Sequence, residues 1–117
     1  MEFKKFFLED DTYIRFKKLG KGDPILLLHT FRNRMEYSDK LGDLLKNKFT
    51  VYSIDLPGFG DSPINTNTIY NLDFFTNSIV NFLKSLKIKN LIIAGESIGA
   101  TLAASVSVSL PKIVKKI

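Results

Sequence analysis

The sequence predicts an α/β domain in which an opening β-hairpin leads into a doubly wound parallel sheet. Residues 25–28 and 91–94 are continuously apolar with no alternation, as expected of strands that are covered on both faces. Residues 69–86 place apolar side chains at steps of three and four, which is the period of an amphipathic helix. Because strand-like and helix-like segments alternate in the order β-α-β-α-β-α, we expect parallel strands joined by right-handed crossovers.

The hairpin is predicted at the start of the chain. Residues 3–8 and 13–19 are β-prone runs on either side of an acidic turn at 9–11. A turn rich in Gly and Pro at 20–24 then precedes the first buried strand. Residues 35–45 carry apolar side chains at roughly helical spacing, so the first crossover helix is expected there.

The second half of the chain repeats the alternation. Residues 49–56 are rich in β-branched and aromatic residues and end in a tight loop at 57–63, so they are predicted to form a strand. After the amphipathic helix and the strand at 91–94, a helix of small residues is expected to run to Leu110. Residues 113–117 are expected to begin one more strand. One domain over 1–117 is predicted, and an incomplete one, since α/β domains often run to roughly 200–250 residues.

Composition excludes several function classes. The chain is 44% hydrophobic and 25% charged, which is typical of a soluble globular domain and not of a disordered one. It contains no Cys, which excludes disulfides, thiolate catalysis and Cys-based metal sites. A single His makes a His-rich metal site implausible. We therefore expect neither a metal nor a cofactor.

Charge and hydropathy bear on the partners and the location of the protein. The net charge of +5 is spread along the chain, with lysine doublets that are scattered and not clustered, which is typical of a solvated surface, so neither nucleic acid nor a membrane is expected as a partner. No secretion signal is recognised, and the longest weakly polar stretch, residues 98–110, is too short and too polar to span a bilayer. We expect a cytoplasmic protein, and the sequence leaves its oligomeric state open.

The strongest chemical signal is the segment Gly95-Glu96-Ser97-Ile98-Gly99, which has the pattern G-x-S-x-G. It lies between a buried strand and a helix, where this pattern forms a turn so tight that the serine takes a strained backbone conformation. A Cβ at position 95 or 99 would collide with neighbouring backbone. The turn would expose the Ser97 hydroxyl and aim the N–H of Ile98 at a developing oxyanion. The alternative is a strand-to-helix turn with an incidental serine.

Four segments follow one another in a characteristic order and at a characteristic spacing: the hairpin, Gly-Asp-Pro-Ile-Leu-Leu-Leu-His at 22–29, Asp-Leu-Pro-Gly-Phe-Gly-Asp-Ser at 55–62, and the turn at 95–99. Together they resemble the N-terminal part of an α/β-hydrolase-fold protein of the esterase, lipase and haloperoxidase-like group. The resemblance spans essentially the whole chain. It implies the α/β-hydrolase fold and a hydrolase that acts on a small ester or acyl substrate.

The resemblance also implies roles for individual residues. It implies Ser97 as the nucleophile and the N–H of Ile98 as one oxyanion donor. A second donor would come from the loop after His29, where the N–H of Phe31 is preferred to that of Thr30. Family members commonly continue this strand as His-Gly, whereas this chain has Thr30 after His29, and its Cβ narrows the backbone conformations open to the loop.

Four further residues are interpreted beside these. In the family, a histidine at the position of His29 supports the loop and does not take the serine proton, so we expect a structural role for it. Arg32 is a candidate contact for an anionic substrate group, with an ordinary surface arginine as the alternative. Asp55 and Asp61 flank the Pro-Gly-Phe-Gly turn and are expected to accept backbone hydrogen bonds. That turn lacks a third glycine and carries the negative Asp61, which argues against nucleotide binding.

The sequence thus predicts a serine hydrolase that cleaves a carboxylic ester or related acyl substrate through an acyl-enzyme at Ser97. On this fold the triad residues follow the order Ser, then Asp or Glu, then His. No Asp, Glu or His follows Ser97 in this chain, so the isolated chain is expected to be inactive. The alternative is a catalytically silent remnant, or an interaction module, with the same half-fold.

Overall fold

The structure, a computed structural model, describes residues 3–9 and 11–117. In this part of the chain, six strands form one sheet and three α-helices pack on its two faces. The strands are β1 (Lys4–Phe7), β2 (Tyr13–Gly20), β3 (Asp23–Leu28), β4 (Phe49–Ile54), β5 (Leu91–Gly95) and β6 (Val114–Lys116). The helices are α1 (Asp39–Leu45), α2 (Leu72–Leu86) and α3 (Ile98–Ser109), and a 3₁₀ helix at Met35–Ser38 precedes α1.

The strands are arranged in the order β1-β2-β4-β3-β5-β6. β1 and β2 form the predicted hairpin, with Lys5 opposite Arg15, whereas Asp10 of the predicted turn lies outside the described residues. β2 pairs antiparallel with β4, and β4, β3, β5 and β6 are mutually parallel. The doubly wound arrangement is confirmed, because the chain moves from β3 to β4 on one side and then crosses back to β5 and β6 on the other.

The parallel strands alternate their side chains between two cores. On one face, Leu26 and Ile93 pack with apolar residues of α2 and α3, and neither is more than 1% exposed. On the other face, Ile25, Leu27 and Val51 form a smaller core that α1 covers. The uninterrupted apolar run in β3 follows from this arrangement, because both faces of the strand are covered.

Two predicted helices differ from the structure at their N-termini. The helix predicted over 35–45 begins as a 3₁₀ turn, and α-helical geometry starts at Asp39. The helix predicted from residue 69 starts at Leu72, because the side-chain oxygen of Asn71 caps it by accepting the N–H of Phe74 at 2.9 Å. Among the described residues, no helix has the length and apolar character needed to cross a membrane.

The segments that lead into the parallel strands lie at one edge of the sheet and are basic. They contain six exposed lysines and no acidic residue: Lys21 before β3, Lys46 and Lys48 before β4, Lys87 and Lys89 before β5, and Lys112 before β6. The segments that follow the carboxyl ends of the strands carry the candidate site residues. An excess of positive charge therefore lies at the edge opposite the candidate site.

Candidate active site

Ser97 lies in the turn that joins β5 to α3, at the carboxyl edge of the sheet. Its φ is 57° and its ψ is −117°, a combination that residues with side chains rarely adopt. The turn is short, because β5 ends at Gly95 and α3 begins at Ile98. Ser97 is exposed, so the strained backbone leaves its side chain accessible. The predicted strain at this position is confirmed.

Gly95 and Gly99 permit this turn because neither position has room for a side chain. A Cβ on Gly95 would lie 2.2 Å from the carbonyl oxygen of Gly99. A Cβ on Gly99 would lie 2.6 Å from the carbonyl oxygen of Leu28, at the end of β3. The predicted steric need for glycine at both positions is confirmed, and the second contact packs the start of α3 directly against β3.

The N–H of Ile98 is the first amide of α3, a position for which helical geometry offers no carbonyl partner. The next two amides, those of Gly99 and Ala100, donate to the carbonyl oxygens of Glu96 and Ser97, each at 2.9 Å. The helix terminus therefore presents an N–H next to the serine, and the partial positive charge of the terminus adds to its effect on an anion.

The loop after β3 begins beside this turn, because β3 and β5 are parallel neighbours with Leu28 opposite Gly95. Phe31 and Arg32 lie in this loop, and Arg32 has a φ of 61°. The guanidinium of Arg32 is exposed and forms no ion pair with any described residue. The predicted donors and the serine thus lie at the same edge of the sheet.

His29 is buried, and both of its ring nitrogens are hydrogen-bonded. Nε2 accepts the N–H of Leu56 at 2.9 Å, which places the ring proton on Nδ1, and Nδ1 donates to the carbonyl oxygen of Thr30 at 2.6 Å. Burial lowers the pKa of His29 below its ordinary value of 6.5, although the hydrogen bond with Thr30 opposes the shift. The imidazole is therefore neutral and has no free lone pair, which fits a supporting role in the loop.

Asp55 is fully buried at the centre of a polar network beneath the site. It accepts a hydrogen bond from Nε of Arg15 at 2.8 Å. It also accepts the backbone N–H of Met35 at 2.8 Å and that of Asp61 at 2.9 Å. The carboxylate thereby joins the segment after β3 to the loop after β4. The structural role predicted for Asp55 is confirmed by these hydrogen bonds. The prediction for Asp61 is wrong in its partners, because its carboxylate contacts the guanidinium groups of Arg15 and Arg34 and, among the described residues, no backbone N–H.

Arg34 and Glu36 extend the network to the surface. The guanidinium of Arg15 donates to both carboxylate oxygens of Glu36 at 2.8 Å, and Arg34 donates to Glu36 and Asp61 at 2.9 Å. Burial acts to raise the pKa of Glu36, but the hydrogen bonds from Arg34 and Arg15 outweigh it and hold that pKa below its ordinary value. The sequence analysis missed Arg15 and Glu36. The alternation of apolar and basic residues at 14–17 is typical of a strand with one solvated face, not of a buried arginine.

The arrangement places an exposed serine beside the first N–H of α3, but the one histidine of the chain is not available to take the serine proton. His29 is occupied by backbone hydrogen bonds, and no Asp, Glu or His follows Ser97 in the sequence. Within residues 3–9 and 11–117, no cluster of three or more His, Cys, Asp or Glu side chains could hold a metal ion.

Known proteins similar to this chain include hydrolases. A family model described as "alpha/beta hydrolase fold" matches residues 23–117. The uncharacterized hydrolase YugF of Bacillus subtilis is 25% identical over 105 residues, which cover 90% of this chain and 38% of that protein. A pimeloyl-[acyl-carrier protein] methyl ester esterase of Pseudoalteromonas atlantica is 27% identical over 106 residues, which cover 91% of this chain and 40% of that protein.

Solved structures share the same arrangement of strands and helices. An esterase (EaEST) from Exiguobacterium antarcticum matches with a TM-score of 0.87 and 21% identity, covering 94% of this chain and 41% of that one. A bromoperoxidase from Bacillus anthracis matches with a TM-score of 0.89 and 21% identity, covering 97% and 42%. At this identity the likeness concerns the fold. This chain spans about two fifths of the length of the proteins it matches.

Proposed function

The chain belongs to the α/β hydrolase fold family, and we propose that it supplies the nucleophile and oxyanion donors of a serine hydrolase for carboxylic esters or related acyl substrates. Relatives named as hydrolases and as a methyl ester esterase support the general activity. The proposal covers residues 1–117 as a single, incomplete unit of the fold. It requires no metal and no cofactor.

One observation carries the proposal: the strained backbone of Ser97, with φ 57° and ψ −117°, between two glycines that a Cβ would disrupt. Strain of this kind costs about 1–3 kcal/mol and persists only where the surrounding structure enforces it. An incidental serine would gain nothing from such a conformation. A nucleophile gains an accessible hydroxyl next to the first N–H of a helix.

The proposed reaction follows from these groups. The Oγ of Ser97 forms a bond to the acyl carbon while its proton passes to a general base, and the carbonyl oxygen becomes an oxyanion held by the N–H groups of Ile98 and Phe31. The carbon–oxygen bond to the alcohol then breaks, and the alcohol leaves with that proton. Water releases the acid and restores the serine. Neither residues 98–117 nor His29 offers this base.

The experiment uses the 117-residue chain and replaces the missing base by a small molecule. We expect a fluorophosphonate probe to label the chain very slowly in buffer, because an unassisted hydroxyl is a poor nucleophile. Added imidazole should accelerate the labelling, and mass spectrometry should map the adduct to Ser97. Ser97→Ala should abolish it. Ser85→Ala is the matched control and should leave the labelling unchanged, because Ser85 is also exposed but lies at the end of α2.

The second candidate is a silent remnant or an interaction module. The absence of any Asp, Glu or His after Ser97 favours it. A silent module needs no competent oxyanion site, so imidazole should accelerate labelling of Ser97 no more than labelling of Ser85. That result would overturn the hydrolase proposal in favour of the second candidate.

A further inference from the structure

A small apolar cavity lies next to the loop that carries Phe31. It is open to solvent on one side, and its volume is about 250 Å³, compared with roughly 150 Å³ for an enclosed cavity known to admit benzene. No charged side chain lines it. The lining residues are Phe31, Pro57, Gly58, Phe59, Ile64, Tyr70 and Phe75.

The walls of this cavity are aromatic rings that hold each other in place. The ring of Phe31 stacks on that of Phe59, with centroids 5.0 Å apart and planes inclined by 7°. Phe75, which is only 3% exposed, contacts both rings, with centroids 5.7 Å from Phe31 and 6.2 Å from Phe59. Such packing leaves few rotamers open to the walls, so an apolar ligand would order little of the protein on binding.

Of the side chains that line the cavity, only that of Tyr70 carries a polar group. The hydroxyl oxygen of Tyr70 accepts the N–H of Asn65 at 2.9 Å, which ties down the loop between β4 and α2. Gly58 keeps the floor open, since a Cβ there would lie 3.1 Å from the ring of Tyr70 and 3.3 Å from Ile64. A ligand is therefore offered a mostly apolar surface, which favours hydrocarbon groups.

Phe31 links this cavity to the proposed chemistry, because its ring is a wall and its N–H is the proposed second oxyanion donor. We infer that the cavity binds one apolar group of the ester substrate, of the size of an aromatic ring or a short alkyl chain. This inference rests on the proposed function in so far as the ligand is an ester substrate. Binding of an apolar group in the cavity does not depend on that function. The loop of Phe31 begins beside the turn that carries Ser97, because Leu28 of β3 lies opposite Gly95 of β5.

Binding is tested on the 117-residue chain with methyl benzoate, and methyl acetate serves as the ligand without the apolar group. With ¹³C-labelled isoleucine methyl groups, we expect methyl benzoate to shift the signal of Ile64, which lines the cavity. The signal of Ile92, on the far face of β5 against the smaller core, should stay in place. Methyl acetate at the same concentration should shift neither signal.

Two matched variants assign the binding to the cavity. Phe31→Ala removes a wall that is 43% exposed and should raise the dissociation constant about fivefold, as loss of an aromatic contact predicts. Phe7→Ala removes a ring that is 64% exposed on β1 and should leave the constant unchanged. An unmoved Ile64 signal, or equal weakening by both variants, would overturn the inference. Ser97→Ala should bind normally, so failed labelling of Ser97 with intact binding would count against the hydrolase proposal alone.

Discussion

The imidazole of His29 connects the carboxyl ends of two strands, because its Nε2 accepts the N–H of Leu56 at 2.9 Å. His29 directly follows β3, and Leu56 follows β4 by two residues. The opposite ring nitrogen donates to Thr30 within the loop itself. Thr30 stands where the family commonly has glycine, and its carbonyl oxygen is nevertheless held in a defined place.

This contact predicts a pH dependence of stability. Burial lowers the pKa of His29 in the folded chain, so in the unfolded chain the side chain binds a proton more readily. The free energy of unfolding should therefore fall as the pH drops through about 6.5. Denaturant unfolding at several pH values between about 7.5 and 5.5 measures this change in the free energy of unfolding. His29→Gln keeps an acceptor for Leu56 but does not titrate, and it should flatten the slope. An unchanged slope would assign the dependence to other groups.

Ser97→Gly should stabilise the chain. Glycine adopts a φ of 57° without the penalty that a Cβ imposes, and the relief exceeds the entropy that glycine adds to the unfolded chain. We expect a gain of about 1 kcal/mol in the free energy of unfolding, measured by urea denaturation. Ser97→Ala keeps the Cβ and should lie within about 0.5 kcal/mol of the unchanged protein. If both variants have the same stability, Ser97 is not strained.

Gly99→Ala should destabilise the chain by about 3 kcal/mol or more, since the new methyl group meets the carbonyl oxygen of Leu28 at 2.6 Å. Gly42→Ala in α1 is the control, because the nearest atom, in Val51, lies 3.7 Å from the added Cβ. This second change should stabilise by about 0.5–1 kcal/mol, as alanine favours a helix interior. Thermal unfolding followed by circular dichroism compares the two, and similar effects would show that the turn has room to relax.

Arg15→Met should cost about 3–5 kcal/mol of stability, because it leaves the fully buried carboxylate of Asp55 without its cation. Arg34→Met removes a guanidinium that is 45% exposed, and it should cost far less stability than Arg15→Met, because water screens an exposed ion pair. Adding Asp55→Asn to Arg15→Met should recover part of the loss. Additive losses in the double variant, measured by urea denaturation, would mean that the two side chains are not coupled.

Arg32 is expected to favour substrates with an anionic group. Its exposed guanidinium belongs to the loop of Phe31 and has no ion-pair partner among the described residues. The chain should therefore bind the monomethyl ester of terephthalic acid more tightly than methyl benzoate. Arg32→Ala should remove this difference, weakening only the anionic ligand by about tenfold. Lys40→Ala, an exposed cation on α1, is the control. Equal weakening of both ligands would show that Arg32 does not contact the anionic group.

Local patterns were sufficient to predict each strand and helix of this fold. Apolar runs predict β3 and β5, and the glycine spacing of the G-x-S-x-G segment predicts the strained turn at Ser97. The N-terminal boundary of α2 was less well predicted, because the side-chain cap of Asn71 outweighs the apolar period that continues back to Ile69.

Contacts between distant segments could not be predicted in the same way. β4 lies between β2 and β3, so Arg15 meets Asp55, which is 40 residues away in sequence. Neither residue type indicates a buried pair, because an arginine in an alternating strand usually faces solvent. The aromatic cavity beside Phe31 was missed for the same reason, since its walls come from three separate segments.

The basic edge that leads into the parallel strands makes the charge distribution of the molecule asymmetric. Six lysines at this edge outnumber the acids Asp23 and Asp43 beside them and form a positive pole, and the turn at Ser97 lies at the far end of the strands. On a negatively charged support, such as a cation-exchange bead, the chain adsorbs by this pole, and salt weakens the attachment. The immobilised protein would then stand with its serine turned towards the flowing solution.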